Sequence, residues 1–258
     1  MRKALLWALA VIITVLLAIY QRITGPTYPI KGEKQGISYK LLRSHTTGED
    51  ACLRIKSPYN GWLEYRRHKT SDPWTKIPMK REGEEIIGCL PSQPPAGKLD
   101  YMVFLDVNGK RIALHENPVV IRFKGKVPAW ILILHIIAIF MAMAFATRAG
   151  LEAIFGNNLK PYVLWTFYLF LLGAFVLGPA VQKYAFGVFW SGFPFGIDLT
   201  DNKVLLALIF WLFPYIGAIK GRLSKRSVII AWVAMFIVFL IPHSLLGSEL
   251  KYTNSTKG

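Results

Sequence analysis

The stretch Pro128–Thr147 reads PAWILILHIIAIFMAMAFAT and is long and apolar enough to cross a lipid bilayer as one helix. A span needs about 20 apolar residues, because the hydrocarbon core of a bilayer is about 30 Å thick. Four further windows approach or meet that length: Ala4–Tyr20, Pro161–Val181, Val204–Ile219 and Ser227–Gly247. The sequence therefore predicts an integral membrane protein with five transmembrane α-helices, one N-terminal and four forming a C-terminal bundle.

The charged residues are segregated from these windows. With 53% hydrophobic and 18% charged residues, the chain is too apolar for an ordinary soluble globule and too charged for a bundle of spans alone. The net charge of +16 is dispersed over the polar stretch and the connections. This dispersal argues against nucleic acid as the partner. It favours the lipid bilayer, because cations beside spans orient them and contact anionic lipids.

The N-terminus predicts a signal anchor that is not removed. Met1-Arg2-Lys3 precedes the first apolar window, which is long for a signal peptide. Residues 17–21 read LAIYQ and offer no small-x-small cleavage site. We therefore expect an anchor over residues 1–22, an outward domain over 23–126, a four-helix membrane domain over 127–250 and a polar tail over 251–258.

The distribution of cations predicts which side each connection faces. The connection 220–226 holds four cations, the N-terminus holds two, and Arg148 and Lys160 follow the second window. With five spans these regions share one side, which the positive-inside tendency makes cytoplasmic. We expect a multi-pass protein of the cytoplasmic (inner) membrane, with its N-terminus inside and its polar domain and C-terminus outside. Glu152 is expected to pair with Arg148 four residues before it.

Residues 36–123 alternate in the manner of β-strands separated by turns. Ala51, Leu53 and Ile55 share one face of a predicted strand, with polar or cysteine side chains between them. The dipeptide Asn-Gly at residues 108–109 predicts a type I′ hairpin turn. About seven short strands with frequent turns are typical of an all-β sandwich.

The segment before Tyr101 resembles the tyrosine corner of fibronectin type III and related immunoglobulin-like domains. It reads LP at residues 90–91 and PAGKLDY at residues 95–101. In that motif a tyrosine at the start of a late strand is tied back to the preceding turn. The resemblance covers about residues 35–123 and implies an inserted immunoglobulin-like sandwich, a fold whose members mostly bind or space partners.

Cys52 and Cys89 are the only two cysteines in the chain. If the strands follow the immunoglobulin-like order, the two residues lie on the second strand and on its neighbour in the same sheet. A disulfide would then be a cross-strand staple, which an oxidising outer compartment permits. Two unpaired thiols are the alternative, because pairing cannot be deduced from the sequence alone.

His135 and His243 lie within two different windows, each near the predicted outer surface. Two imidazoles at similar depth on different helices are the arrangement that a b-type haem with two histidine ligands requires. Ionisable groups inside spans are functional candidates by default. Histidines that only hydrogen-bond a neighbouring helix are the alternative, and another metal or a proton role is the third interpretation.

The connection 182–202 is unusual for an outer loop, because it contains six aromatic residues and three glycines. One interpretation is a lid over an outward pocket for a quinone, a lipid headgroup or a haem edge, formed by Lys183, Trp190, Phe193 and Phe195. The other is an element of the aromatic belt at the membrane surface, where tryptophan and tyrosine are enriched.

Three carboxylates also fall on the predicted outer side. Asp198 and Asp201 lie at the end of the connection, and Glu249 follows the last window. Together with the two histidines they form a candidate cation or proton site, and they are also expected to line the outward pocket under the lid. Helix capping is the alternative, since Thr200, Asp201 or Asn202 could accept hydrogen bonds from the first turn of the next helix.

Three function hypotheses follow from these residues. No nucleophile–base pair is visible, and no spacing of Cys and His residues predicts zinc. The favoured hypothesis is a non-enzymatic interaction or accessory subunit of a membrane or envelope complex, whose outward sandwich contacts a partner protein. The second is an electron-transfer protein with a b-type haem or quinone near the outer face. The third is an enzyme or carrier that handles a lipid or quinone.

Overall fold

The chain forms two structural units, a helical unit and a β unit, in the computed structural model of the protein. The structure describes residues 1–242, 247, 249, 250 and 252. The helical unit comprises Met1–Pro26, Val127–Tyr184 and Val188–Ser248. The β unit comprises Thr27–Lys126, Ala185–Gly187 and Glu249–Gly258. Each unit has its own hydrophobic core.

The described helices are α1 (Arg2–Thr24), α2 (Ala129–Phe155), α3 (Lys160–Phe170), α4 (Gly178–Phe186), α5 (Leu199–Ile219) and α6 (Lys225–Leu240). A π-helical segment, Leu171–Leu177, joins α3 to α4, so that Lys160–Phe186 is one continuous helix. Among the residues that the structure describes, four helices are long and apolar enough to cross a membrane, namely α1, α2, the continuous helix and α5. The membrane character predicted from four of the five windows is confirmed at this level.

The fifth window yields a shorter helix. α6 has 16 residues. At 1.5 Å per residue this is about 24 Å, less than the hydrocarbon thickness of about 30 Å. The predicted window continues to Gly247, and residues 243–246 are not among the described ones. A fifth span therefore stays a prediction.

Small side chains bring the helices of the helical unit together. One face of α2 carries Ala142, Ala146, Ala149 and Ala153, which are all 3% exposed or less. Their spacing of three or four residues places them on one side of the helix, where small side chains let backbones approach closely. Many large aliphatic and aromatic side chains of this unit are exposed, as expected of helices that face lipid.

The described strands are β1 (Ile30–Lys34), β2 (Ile37–Leu41), β3 (Ser44–Thr46), β4 (Ala51–Lys56), β5 (Asn60–Arg67), β6 (Thr75–Pro78), β7 (Lys80–Glu82), β8 (Glu85–Leu90), β9 (Lys98–Val107), β10 (Lys110–Ala113) and β11 (Val119–Lys124). β1 and β2 form a hairpin, and β4-β8-β7 is a three-stranded sheet. The six-stranded sheet has the order β3-β11-β9-β5-β6, with β10 paired to β9. β3 is parallel to β11, and the other described pairs are antiparallel.

Both larger sheets contribute to the core of the β unit. Strand β4 alternates as predicted, with its apolar residues buried and the residues between them exposed. Leu53 and Ile86 come from the three-stranded sheet, and Leu63 and Leu105 come from the six-stranded sheet. The predicted hairpin turn at residues 108–109 has φ values of 53° and 78°, as a type I′ turn requires. The arrangement of sheets is compatible with a sandwich.

Tyr101 makes a different contact from the predicted tyrosine corner. Its hydroxyl donates to the carbonyl of Leu42 at 2.8 Å, which lies 59 residues upstream. The turn before Tyr101 is closed by its own backbone, because Gly97 N donates to the carbonyl of Pro94 at 2.8 Å. Tyr101 therefore fastens β9 to the segment between β2 and β3. Burial raises the pKa of the Tyr101 hydroxyl, which stays protonated as a donor.

Cys52 and Cys89 face one another across the β4–β8 pair, where a disulfide joins them. Cys52 is exposed, whereas Leu53 beside it is 1% exposed. The bridge therefore links neighbouring strands of one sheet, on the side away from the core.

Candidate functional site

Two of the predicted outer carboxylates meet in the connection between α4 and α5. Asp198 and Asp201 are 7% and 8% exposed. The hydroxyl of Ser191 lies 3.1 Å from an oxygen of Asp198 and 3.2 Å from an oxygen of Asp201. Asp201 also accepts from Ser191 N at 2.7 Å and from the side-chain amide of Gln182 at 3.0 Å. These donors supply the hydrogen bonds that buried carboxylates require.

Asp198 is the cap of α5. Its second oxygen accepts from Thr200 N at 2.8 Å and from Asp201 N at 3.4 Å. The predicted caps at Thr200, Asp201 and Asn202 are wrong by two to four positions, because the helix begins directly after Asp198. The side-chain oxygen of Asn202 instead accepts from Phe193 N at 2.6 Å. Asp201 and Asn202, in the first turn of α5, thus hold the backbone of the connection at Ser191 and Phe193.

The aromatic residues predicted to form a lid fall into two groups. Trp190 is held, because its indole N–H donates to the carbonyl of Phe193 at 3.1 Å. The rings of Phe193 and Phe195 point outward and are 69% and 83% exposed. Lys183 has its Nζ 5.2 Å from the ring centroid of Phe189. The connection therefore combines a fixed backbone with exposed apolar side chains.

His135 is held by the backbone of the neighbouring helix. Its Nδ1 lies 2.9 Å from the carbonyl oxygen of Gly173, within the π-helical segment Leu171–Leu177. Short π-helical turns are frequent at functional sites. His243 lies outside the described residues, so the haem hypothesis for the two histidines stays a prediction. Within the described part of the chain, no group of three or more His, Cys, Asp or Glu side chains could hold a metal ion.

Glu249 belongs to the β unit, where it pairs with cations and not with the two aspartates. Its carboxylate lies 2.8 Å from Lys69 Nζ and 3.3 Å from Lys98 Nζ. Burial opposes ionisation of Glu249, but the hydrogen bond from Lys69 and the charge of Lys98 outweigh it and lower the pKa. The hydroxyl of Tyr252 accepts from Lys98 N at 2.9 Å. The described tail residues are therefore docked on β9.

A row of rings and cations lies on the outward face of the six-stranded sheet. Trp62 of β5 and Phe104 of β9 are partners in register, and their rings stack with centroids 5.6 Å apart. Lys76 Nζ lies 4.1 Å from the Trp62 ring centroid, and the Arg111 guanidinium lies 3.7 Å from the Phe104 ring centroid. Both distances are those of cation–π contacts.

Hydrogen bonds fix this row in place. Glu64 accepts from the indole N–H of Trp62 at 2.9 Å and from the guanidinium of Arg111 at 2.8 Å. Arg66, the next outward residue of β5, lies 4.7 Å from the ring centroid of Trp74. The six residues that form the cation–aromatic face are Trp62, Arg66, Trp74, Lys76, Phe104 and Arg111.

Cations dominate the charge of the cation–aromatic face. Glu64 lies among its three cations, and the Glu64 side chain is 18% exposed, against 54% for Arg111. The Asp100 carboxylate lies 3.6 Å from Arg66 and 2.6 Å from His68, and its side chain is 11% exposed. Its negative charge is therefore largely buried beneath the face. Residues 27–126 as a whole hold 18 Lys and Arg against 11 Asp and Glu. The exposed part of this face is positive; of its rings, Trp74 is 37% exposed and Trp62 is partly buried, whereas Phe104 is 5% exposed.

No protein-family model, no curated protein and no solved structure matches this chain. The function therefore rests on the geometry of the chain itself. Of the features described above, the cation–aromatic face contains the largest set of aromatic and cationic side chains that are held in fixed positions.

Sequence reasoning missed Lys203 and the burial of Arg148, the two buried cations described in the helical unit. Lys203 is 6% exposed and donates to the carbonyl of Ile241 at 2.7 Å. Arg148 is fully buried, 2.7 Å from Glu152, and its guanidinium lies 4.3 Å from the Tyr162 ring centroid. The predicted i,i+4 pair is confirmed, but its burial was not foreseen. A lone cation within or beside an apolar window was the available signal.

Proposed function

We propose that this protein is a five-span integral membrane protein of the cytoplasmic membrane that serves as an interaction or accessory subunit of a membrane or envelope complex. Its β unit, an immunoglobulin-like sandwich, and its C-terminus lie outside the cytoplasm. Four apolar helices of sufficient length support the membrane assignment. The cation-rich connection 220–226 and the cations at the N-terminus support the orientation, because such regions stay on the cytoplasmic side.

The cation–aromatic face is the observation that carries this proposal. Tryptophan and arginine are the residue types that most often dominate the binding energy of protein interfaces. Stacking and the hydrogen bonds of Glu64 hold Trp62 and Arg111 before a partner arrives. Such preorganisation reduces the conformational entropy that is lost on binding.

The partner is a membrane or envelope protein with an acidic surface. The exposed cation Lys76 lies over the Trp62 ring, and the exposed cation Arg111 lies against both rings of the stack, 3.7 Å from the Phe104 centroid and 5.8 Å from the Trp62 centroid. Arg66 lies over the Trp74 ring. Complementary charge on the partner would steer its approach and fix its register, while the Trp62 and Trp74 rings supply apolar contact area.

Titration with charged copolymers tests the proposal. The full-length protein, in nanodiscs of phosphatidylcholine, is mixed with a fluorescent glutamate–tyrosine copolymer or with a lysine–tyrosine copolymer. We expect binding of the acidic copolymer alone, weakened by added salt because salt screens exposed charges. Arg66→Glu with Arg111→Glu should weaken the binding by about tenfold or more, since like charges then face one another.

A matched variant separates a local site from net charge. Lys31→Glu with Lys40→Glu makes the same charge change on the β1–β2 hairpin, outside the cation–aromatic face. This variant should retain most of the binding. Equal losses of copolymer affinity in the two double variants would show that only net charge matters and would refute the proposed face. Unchanged affinity in Arg66→Glu with Arg111→Glu would also refute it.

A further inference from the structure

The loop formed by residues 188–197 exposes its apolar side chains, and the carboxylates beside it are buried. Loops that face water show the opposite pattern. The large apolar side chains of the 188–197 loop point outward: Phe193 is 69%, Phe195 83% and Ile197 92% exposed. Asp198 directly follows the loop, and Asp201 accepts a hydrogen bond from it. The carboxylates of both residues point inward and are buried. A loop in water would expose the carboxylates and cover the rings.

This reversed arrangement is fixed by hydrogen bonds. Ser191 N donates to Asp201 at 2.7 Å, and Asp198 N donates to the carbonyl of Ser191 at 3.0 Å. Within the loop, Phe195 N and Gly196 N both donate to the carbonyl of Gly192 at 2.9 Å. Four backbone N–H groups of the loop, those of Ser191, Phe193, Phe195 and Gly196, therefore have acceptors within the protein, as backbone groups in contact with lipid require.

We infer that the 188–197 loop is inserted into the lipid interface of the bilayer, as a membrane-binding element in addition to the spans. This inference concerns the helical unit alone and does not depend on partner binding by the β unit. The occupant is phospholipid, whose acyl chains contact Phe193, Phe195 and Ile197. Lys183, beside Phe189, lies where a headgroup phosphate would be.

Continuity with the lipid-facing helices favours lipid over a protein partner. On the helix before the loop, Val176 is 57% and Tyr184 49% exposed, and on the helix after it Leu206 is 48% exposed. Both helices are long and apolar enough to cross a membrane. The helix before the loop has 27 residues. At about 40 Å this helix exceeds the hydrocarbon thickness of about 30 Å, so its end reaches the headgroup layer.

Fluorescence quenching tests this inference. Phe195→Cys is labelled with the environment-sensitive dye NBD, in full-length protein in phosphatidylcholine nanodiscs. The native cysteines are joined in a disulfide, so the introduced thiol is the labelled one. We expect blue-shifted emission, strong quenching by lipids with a spin label near the headgroup, weaker quenching by a label at the chain end, and protection from iodide.

One further cysteine variant serves as a control in the β unit, and another can replace Phe195→Cys. Glu116→Cys, in the exposed segment between β10 and β11, should show water-like emission and quenching by iodide. Ile197→Cys repeats the test if Phe195→Cys does not fold. Iodide quenching at the labelled loop position would place the loop in water and refute the inference. Protection from both iodide and spin-labelled lipid would show a protein cover and refute it equally.

Discussion

The β unit and the 188–197 loop sort their side chains in opposite directions. In strand β4 Leu53 is 1% exposed, while the side chain of Arg54 beside it is 58% exposed. In and next to the loop, Ile197 is 92% exposed and Asp201 is 8% exposed. The same physical rule accounts for both patterns, since each group faces the surroundings in which its transfer free energy is lowest. Under the lipid insertion that we infer for the loop, the contrast reflects two solvents, water for the β unit and lipid for the loop.

The ion pairs of the two units differ in the same way. The Arg148 and Glu152 side chains of the helical unit are 0% and 12% exposed. The Lys56 and Glu84 side chains of the β unit are 75% and 77% exposed. Exposed pairs contribute little to stability because water screens them, whereas breaking a buried pair leaves an uncompensated charge.

The largest expected effect is therefore at the buried pair. Arg148→Ala should lower the free energy of unfolding by about 3–5 kcal/mol, because Glu152 loses the cation beside it. Thermal unfolding in detergent measures the change. Lys56→Ala, the matched change at the exposed pair, should leave the midpoint unchanged. Similar shifts of the unfolding midpoint in Arg148→Ala and Lys56→Ala would contradict the expected difference between buried and exposed ion pairs.

A lysine introduced at an exposed apolar position should have a large effect in the helical unit and a small effect in the β unit. Ile209 of α5 is 47% exposed, and Trp74 of the β unit is 37% exposed. Ile209→Lys should cost about 3 kcal/mol of membrane insertion, because the ammonium group would enter the hydrocarbon core. Trp74→Lys should change stability by about 0.5 kcal/mol, as exposed substitutions usually do. The membrane-inserted fraction after expression measures the first effect, and full insertion of Ile209→Lys would contradict a lipid-facing α5.

A smaller effect is expected within the β unit. Tyr101→Phe removes the donor to the buried carbonyl of Leu42 and should lower the free energy of unfolding by about 1–2 kcal/mol. Denaturant unfolding followed by pulsed hydrogen exchange of the β9 backbone amides reports on the β unit. An unchanged midpoint would show that this hydrogen bond does not fasten β9.

The smallest effect concerns pH. The folded-state pKa of Glu249 lies below its ordinary value of 4.5. The stabilisation from its ion pairs is therefore fully present above about pH 4.5 and is lost as the pH falls through the folded-state pKa. Glu249→Gln should reduce the acid sensitivity of the β unit below pH 4.5, measured as the unfolding midpoint against pH. An identical pH profile in Glu249→Gln would contradict the contacts with Lys69 and Lys98.

Local patterns predicted much of the fold. The period-2 alternation of β4 and the Asn-Gly turn at residues 108–109 depend on neighbouring residues, so the sequence contains the necessary information. The number of strands was underestimated, because short edge elements such as β3 and β7 have too few residues to show a period. The Tyr101 contact could not be predicted, since its acceptor is set by long-range packing and not by the adjacent turn.

The candidate sites were less predictable for a similar reason. The cation–aromatic face combines residues from β5, β6, β9 and β10, which only strand pairing brings together. Asp198 and Asp201 were identified from their charge, but Ser191 and Gln182, which hold them, carry no sequence signal of that role. Glu249 was grouped with the helices because it follows an apolar window, whereas its ion pairs attach it to the β unit.

Labelling of single cysteines in sealed cells tests the central claim most directly, which is that the membrane separates the β unit from the cytoplasmic connections. Glu116→Cys represents the β unit, and Arg222→Cys represents the cation-rich connection. A membrane-impermeant maleimide should modify Glu116→Cys in sealed cells and Arg222→Cys only after the membrane is opened. Modification of Arg222→Cys in sealed cells, with protection of Glu116→Cys, would contradict the proposed orientation and with it an outward binding surface.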